Sequence, residues 1–272
     1  MCELVGLHLF AAERRNKIIN MLLEQGYVLV TDLSKAFNVS EETIRRDLDK
    51  MEKENLLTRT HGGAFIEEGI TSDIPVGIRE RAYLQGKDWI GEKVVGLINS
   101  GDTLMLDSST TSLHIAKKIK NKKNLTVITN SFKAQMELSS AEGIKIISTG
   151  GILRQHSLSY VGHAATRELS NYFADTAIIS CSGIHLDKGI SDSNEYEAEM
   201  RKIMLKNAEY KILAVDTTKL NKLGFMFIAD FPAINKVVVD KKLPADWVQL
   251  FERLNIEFDD REMPSAGLET TV

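Results

Sequence analysis

Two stretches of the sequence carry side chains whose types and spacing could do chemistry. In LMLDSSTTSLHIAKKI, residues 104 to 119, an apolar run leads through Asp107 into five consecutive hydroxyl residues, Ser108 to Ser112. A segment with Leu113, Ala116 and Ile119 at helical spacing follows. Short hydroxyl side chains and free backbone N–H groups at the start of a helix form a cradle for an anion such as phosphate. Capping of the helix by itself would occupy only one of these hydroxyls. In SEETIRRDLDKME, residues 40 to 52, Arg45 and Arg46 stand together on a segment with three basic and five acidic side chains. That composition fits a solvated helix laced with ion pairs, and Glu42 and Arg46 have the i,i+4 spacing for one. It also fits a helix that turns its arginines toward the phosphates and base edges of DNA.

The elements that must position these residues decide between the readings. At 100° steps Ile44, Leu48 and Met51 fall within about 60° of one another and define a buried face. Arg46 and Glu42 then point outward, with Thr43 and Arg45 flanking them. Ser40 opens this helix, and Glu41 and Glu42 occupy the first turn, where the helix dipole favours anions. Upstream, Ile18, Ile19, Leu22 and Leu23 predict a helix over 11–25 that stops at Gly26. Thr31 is placed to cap a short second helix, DLSKAF, with an apolar stripe of Leu33, Ala36 and Phe37, and NVS makes a tight turn. Downstream, LLTRTHGGAF reads as a two-stranded hairpin broken at Gly62 and Gly63, carrying Arg59 and His61. Three short helices and a basic hairpin make a winged helix-turn-helix domain over 10–66, and this context favours the DNA reading. Residues 1–66 hold nine Lys and Arg against ten Asp and Glu, so DNA binding must come from a local arrangement of charge.

Residues 67–86, with Gly69, Pro75, Gly77 and Gly86, read as a linker. A helix from about Asp88 to Ser100, with Ile90, Val94, Leu97 and Ile98 on one face, opens a second domain over 87–258. The runs TLMLD, LTVIT, IKIIS, TAIISC, KILAV and KVVVD alternate with helical stretches, which predicts an α/β domain with a mostly parallel, Rossmann-like sheet. The polar tail, 259–272, is expected to fray. In such sheets ligands sit outside the carboxyl ends of the strands. Asp107 to Ser112, Thr129-Asn130-Ser131, Gly150-Gly151 with Arg154, Ser182-Gly183, and Asp216 with Lys219 should therefore converge. Neither GxGxxG nor GxxxxGK[ST] occurs, so no nucleotide cofactor is expected. Cys2 and Cys181 are too few and too far apart for a disulfide framework or a zinc site, and no metal is expected. Cys181 lies in an apolar run and reads as a core thiol. His156 and His163 read as surface or packing residues, and Glu195, Glu197 and Glu199 as a solvated helix start. At 272 residues, 43% hydrophobic and 26% charged with net charge −4, the chain suits a soluble two-domain protein. Its opening, MCELVGLHLF, carries Glu3 in place of a basic region, so neither a signal peptide nor a membrane span is expected and the chain is expected in the cytoplasm.

Residues 13–64 resemble the DNA-binding domain of the DeoR family of bacterial transcription regulators almost without interruption. DSSTTSLHIA, VITNS, STGGILR, YVGHAA, SGIHLDKGISDSNEYEAEMRKIM and AVDTTKLNKLGF follow in that family's order, so the resemblance also covers the second domain. It implies that Ser40 to Arg46 enter the major groove, with Thr43, Arg45 and Arg46 meeting phosphates or base edges and Glu42 orienting Arg46 or accepting from a cytosine amino group. Arg59, His61 and the Gly62 backbone would touch DNA from the wing. It further implies a fold like ribose phosphate isomerase, a phosphorylated sugar or related metabolite as effector, and ligand contacts from Asp107, Ser108, Ser109, Thr110, Thr111, Asn130, Gly151, Arg154 and Lys219. His185 departs from the pattern, standing where many relatives carry an acidic residue. The expected function is a ligand-responsive repressor of a carbohydrate operon that binds double-stranded operator DNA, with no catalytic residues. The alternative is a sugar-phosphate isomerase fused to a DNA-binding module, with Asp107 and Lys219 as its acid and base groups. A single winged helix covers little DNA, so a homo-oligomer, dimer or tetramer, is expected.

Overall fold

The computed structural model describes residues 10–66 and 74–264. The opening decapeptide up to residue 9, linker residues 67–73 and tail residues 265–272 lie outside the described residues. The chain divides into two compact units between Leu84 and Gln85.

The N-terminal unit runs α1 (Ala11–Gln25), β1 (Tyr27–Leu29), α2 (Val30–Phe37), α3 (Glu41–Lys53), β2 (Thr58–Arg59), β3 (Gly63–Phe65) and α4 (Val76–Arg81). Gly26 ends α1 in the left-handed region, at φ 78°, and its N–H bonds the Leu22 carbonyl. Ser40 caps α3 by accepting the Thr43 N–H at 3.2 Å. Ile18, Ile19, Leu22, Leu33, Ile44, Leu48 and Met51 fill one core.

Three expectations for this unit need correction. Thr31 lies inside α2, which starts from extended Leu29 with no side-chain cap, and its buried face is Val30 and Leu33 while Ala36 is exposed. The hairpin acquires a third strand, in the order β1-β3-β2. A Cβ on Gly63 would lie 2.0 Å from the Val28 carbonyl oxygen, so only glycine lets β1 and β3 approach this closely. Residues 76–81, within the expected linker, form α4 because Ile78, with the following Ala82, buries in the same core.

Arg14 and Asp47 tie α1 to α3. The Arg14 Nε lies 2.6 Å from the Asp47 carboxylate, both side chains are buried, and Arg15 adds a 3.4 Å contact. Removing one partner of a buried pair strands the other's charge, at about 3–5 kcal/mol. Asp47→Ala should therefore lower the stability of the N-terminal unit by about that much, read by urea unfolding. A loss below about 1 kcal/mol would show that the pair does not hold the helices together.

The second unit contains α5 (Leu84–Val95), β4 (Thr103–Leu106), α6 (Thr110–Ile119), β5 (Leu125–Thr129), α7 (Phe132–Leu138), β6 (Ile144–Ser148), β7 (Ile152–Arg154), β8 (Ser159–Val161) and α8 (His163–Leu169). It continues with β9 (Ala174–Ile179), β10 (Gly183–His185), β11 (Gly189–Asp192), α9 (Glu195–Lys206), β12 (Ala208–Ala214), β13 (Met226–Ala229), β14 (Lys236–Val238), α10 (Ala245–Arg253) and β15 (Glu257–Asp259). Each of the six apolar runs becomes a strand of one seven-stranded parallel sheet, in the order β15-β14-β12-β9-β4-β5-β6. Such strands are covered on both faces, which is why they read as unbroken apolar runs. Helices α5, α6 and α7 cover one face and α8, α9 and α10 the other. Two small antiparallel sheets, β7-β8 and β10-β11-β13, are inserted between elements of the main sheet.

Helix α5 starts at Leu84, not Asp88, and ends at Val95; Ile90, Val94 and Ile98 are buried, whereas Leu97 is 37% exposed. The order also runs past residue 258. Asp259 ends β15 and pairs with the buried Lys93 ammonium at 3.2 Å, and the buried Asp260 accepts the Leu243 N–H.

Candidate functional site

On α3 every acidic side chain is committed. Arg45 donates to Glu41 at 2.6 Å and Arg46 to Glu42 at 3.2 Å. Asp47 holds Arg14, Asp49 lies 3.4 Å from Arg59, and Glu52 accepts the Arg59 backbone N–H. The ion-paired reading of the helix is met, and Arg46 nevertheless projects into solvent with its side chain 77% exposed. Exposed i,i+4 pairs contribute about 0.3–0.5 kcal/mol, so exchanging a glutamate for a DNA phosphate costs little. Ser40 and Thr43 share a hydroxyl contact at 2.9 Å at the head of the helix. Arg59 is different. Its side chain is only 18% exposed and Nη1 is buried without a partner, so it packs the wing against α3, while His61 and Gly62 are exposed at the hairpin turn.

The second constellation lies where the strand ends of the parallel sheet meet α6, α9 and the β7-β8 hairpin. Arg201 on α9 is buried, with Nε 2.7 Å from Asp107 and Nη1 2.9 Å from Asp192. Burial opposes its charge, but Asp192, Asp107 and Glu197 outweigh that and hold the guanidinium charged. Asp107 also accepts the Ser109 N–H, the Ser112 hydroxyl and the Ser180 N–H. It therefore has four donors on its two oxygens and anchors the loop from within. Its oxygens are thus turned toward Arg201 and the loop.

The hydroxyl run is largely committed as well. All five residues are buried. Ser109 caps α6 through the Ser112 N–H, Ser112 bonds Asp107, and Ser108 donates to Glu197 at 2.6 Å. Glu197 also accepts from Ser159, which contacts Ser157, and Arg154 lies 3.6 Å away while donating to Ser157 at 2.8 Å. Burial would raise the Glu197 carboxyl, but the Arg201 charge and the Ser108, Ser159 and Ser157 hydroxyls prevail and hold it below the ordinary range. The expected solvated helix start is thus corrected at Glu197, which is buried among hydroxyls. Its signal was spacing: Glu197, Arg201, Met204 and Leu205 continue one buried face of α9.

What remains open around these groups is specific. The hydroxyls of Thr110 and Thr111 make no hydrogen bond among the described residues. Asn130 is fully buried; its Nδ2 donates to the Tyr160 carbonyl at 3.2 Å and its Oδ1 has no partner. A buried acceptor left unsatisfied costs about 1–3 kcal/mol, so a donor is expected to meet it. Lys219, half-buried, closes the short turn Thr217–Lys219 after β12, and its ammonium has no ion pair among the described residues. Gly151, at φ 109°, is required by packing: a Cβ would meet the Val161 carbonyl oxygen at 2.7 Å. His185 takes the Asp187 N–H on Nδ1.

Cys181 is buried and its thiol is pushed up to about 12, by burial first and the Asp192 charge second, which makes it an inert core residue. A shallow depression of about 420 Å³ lies at the opposite, N-terminal ends of the strands, lined by Thr103, Asp175, Lys206 and Glu209 among others, away from these groups. Among the described residues no group of His, Cys, Asp or Glu is placed to hold a metal ion, and no helix is long and apolar enough to cross a membrane.

The depressed Glu197 carboxyl makes a pH prediction. A lowered folded-state pKa contributes stability that is present above the unfolded value, 4.5, and lost as pH falls through the folded value. Acid titration of the melting temperature should therefore fall less steeply below that pH for Glu197→Gln than for wild type. Parallel slopes would show that Glu197 is not held ionised.

Comparison with known proteins identifies both units by family. The DeoR-like helix-turn-helix domain matches residues 14–68, and the DeoR C-terminal sensor domain matches residues 83–241. An uncharacterized HTH-type transcriptional regulator of Bacillus subtilis is 39% identical, over 90% of this chain and 94% of that protein. A putative aga operon transcriptional repressor of Escherichia coli O157:H7 is 34% identical, over 90% of this chain and 92% of its own length. The glycerol-3-phosphate regulon repressor of Escherichia coli K12 is 29% identical, over 91% and 98% respectively.

Proposed function

The chain belongs to the DeoR family of DNA-binding transcriptional regulators, and from that premise we propose that it represses a carbohydrate-metabolism operon and is released by a phosphorylated sugar bound in its second unit. The single observation that carries the sensor half is the buried, unsatisfied Asn130 Oδ1, at a strand end beside the hydroxyl run. One relative is named as a repressor of the glycerol-3-phosphate regulon, which associates a phosphorylated polyol with this family.

For DNA, Ser40, Glu42, Thr43, Arg45 and Arg46 enter the major groove, and His61 with the Gly62 backbone reaches the adjacent strand. Arg59 acts by holding the wing. For the effector, charge decides which end lies where. Asp107, Asp192 and Glu197 face Arg201 and Arg154, leaving the cluster one negative charge in excess. A phosphate beside Ser108 would meet the Glu197 carboxylate. The phosphate therefore belongs nearer the Thr110 and Thr111 end of the loop, with Lys219 as its proposed counter-charge, and sugar hydroxyls belong at Asn130 and Glu197. The isomerase alternative needs a carboxylate free to take a proton, and Asp107 is already saturated by four donors. Two copies are needed to read two operator half-sites.

Two measurements test this. An operator recovered by binding-site selection should lose about 1–3 kcal/mol of affinity, and part of its sequence preference, with Arg46→Ala. Thermal-shift screening against a sugar-phosphate panel should find a ligand that also weakens operator binding, by about 5- to 150-fold for a typical coupling. Ser109→Leu with Thr110→Leu should abolish that response while sparing DNA binding, and Lys219→Ala should weaken it. A double variant that still responds fully would remove the hydroxyl run from the site.

A further inference from the structure

We propose that the open edge of the parallel sheet at β6 is where two copies of this chain pair, antiparallel about a two-fold axis at Ile146. The inference rests on the regulator reading only for its purpose, which is to bring two DNA-binding units onto one operator. Its geometry stands on the sheet alone. Strand β6 ends the sheet and pairs only with β5. The Leu125 N–H reaches the Gly143 carbonyl at 3.2 Å and the Thr149 N–H reaches the Thr129 carbonyl at 3.3 Å. Residues 143, 145, 147 and 149 therefore aim their backbone groups at β5. Ile144, Ile146 and Ser148 aim theirs outward, and no hydrogen bond among the described residues takes them up.

A two-fold axis at Ile146 matches this pattern to itself. It places Ile146 against Ile146 of the second copy and Ile144 against Ser148, so only outward-pointing groups meet and all of them bond. A slip of one residue would set outward groups against inward ones. Lys145 then lies opposite Ile147 of the second copy, so the strand's one charge does not meet its like. Apolar residues flank the edge: Met136 on α7 is 61% exposed, and Ile152 on β7, which follows β6, is 70% exposed.

The other end of the sheet is built the opposite way. Glu257 on β15 pairs with Lys236 at 3.0 Å, and Asp259 pairs with Lys93 and Arg261. A two-fold axis at Phe258 would set Glu257 against Asp259 of the second copy, carboxylate on carboxylate. Edge charge therefore protects β15 from self-pairing and leaves β6 as the available edge.

Light scattering at micromolar concentration should give wild type at least twice the chain mass, and Ile146→Arg should halve that mass while keeping the wild-type circular dichroism. Cysteine cross-linking covers the case in which the arginine variant does not fold. In a hydrogen-bonded antiparallel pair the Cα atoms lie about 5.5 Å apart, within disulfide reach. In a Cys2→Ala background, Ile146→Cys should give a covalent dimer on mild oxidation and Glu257→Cys should not. A monomeric wild type, a folded Ile146→Arg variant of unchanged mass, or cross-linking through residue 257 instead of 146 would overturn the pairing. A folded Ile146→Arg variant of unchanged mass or cross-linking through residue 257 leaves the regulator reading intact, and that reading falls separately if wild type binds no selected DNA.

Discussion

Arg201 is the charge around which the second unit is organised. It is fully enclosed, and enclosing an ion costs several kcal/mol even after relaxation. That cost is offset because Asp107 and Asp192 reach it at 2.7 and 2.9 Å and Asp107 accepts three further hydrogen bonds. The consequences spread along the chain. Asp107 follows β4, Asp192 ends β11, and Arg201 lies about two turns into α9, so one guanidinium ties α9 to the neighbouring β11 and to β4, far earlier in the chain. The same carboxylate that neutralises Arg201 receives the Ser109 N–H and the Ser112 hydroxyl, which sets the path of the hydroxyl run. The Ser180 N–H binds it too, fixing the loop after β9.

The DNA-binding unit uses ion pairs to a different end. Its one buried pair, Arg14 with Asp47, fixes α1 against α3, whereas the pairs made by Arg45 and Arg46 are exposed and weak. A surface that must exchange one partner for another is well served by bonds of a few tenths of a kcal/mol. A site that must keep its shape while a ligand enters needs partners that cannot be exchanged. The negative total of the helix segment is then no obstacle, because four of its five acids are paired with arginines and Arg46 remains exposed.

Legibility in the sequence followed the range of the interactions. The parallel strands were readable because burial on both faces leaves a continuous apolar run, as in LTVIT and KVVVD. The α3 face was readable because helical period alone separates Ile44 and Leu48 from Arg46. Short elements were not: β1 and β15 are three residues each, and only their partners make them strands. Helix α4 was hidden by Pro75 and Gly77, which mark a loop statistically although Pro75 stands just before the first turn, where proline is tolerated. Glu197 was misread because an acid at a helix start is ordinarily explained by the dipole. Its burial comes from Ser108 and Ser159, which no local pattern connects to it.

The hydroxyl run shows why residue type alone over-assigns a ligand. Five adjacent hydroxyls suggested an open anion cradle, yet three of them are occupied by Glu197, by the Ser112 N–H and by Asp107. The internal carboxylate of Glu197 takes a place that an external anion could have taken. Electroneutrality then acts as a selection rule on what enters. On the sensor reading proposed above, a hydroxyl donor is favoured beside Glu197 and a phosphate is not, whereas the Thr110 end, away from that carboxylate, would have the opposite preference. On that reading, a ligand that satisfies both carries neutral hydroxyls at one end and negative charge at the other. An inorganic phosphate or a neutral sugar would then satisfy only half of the site, and discrimination between them and the whole molecule would follow from the placement of one buried glutamate.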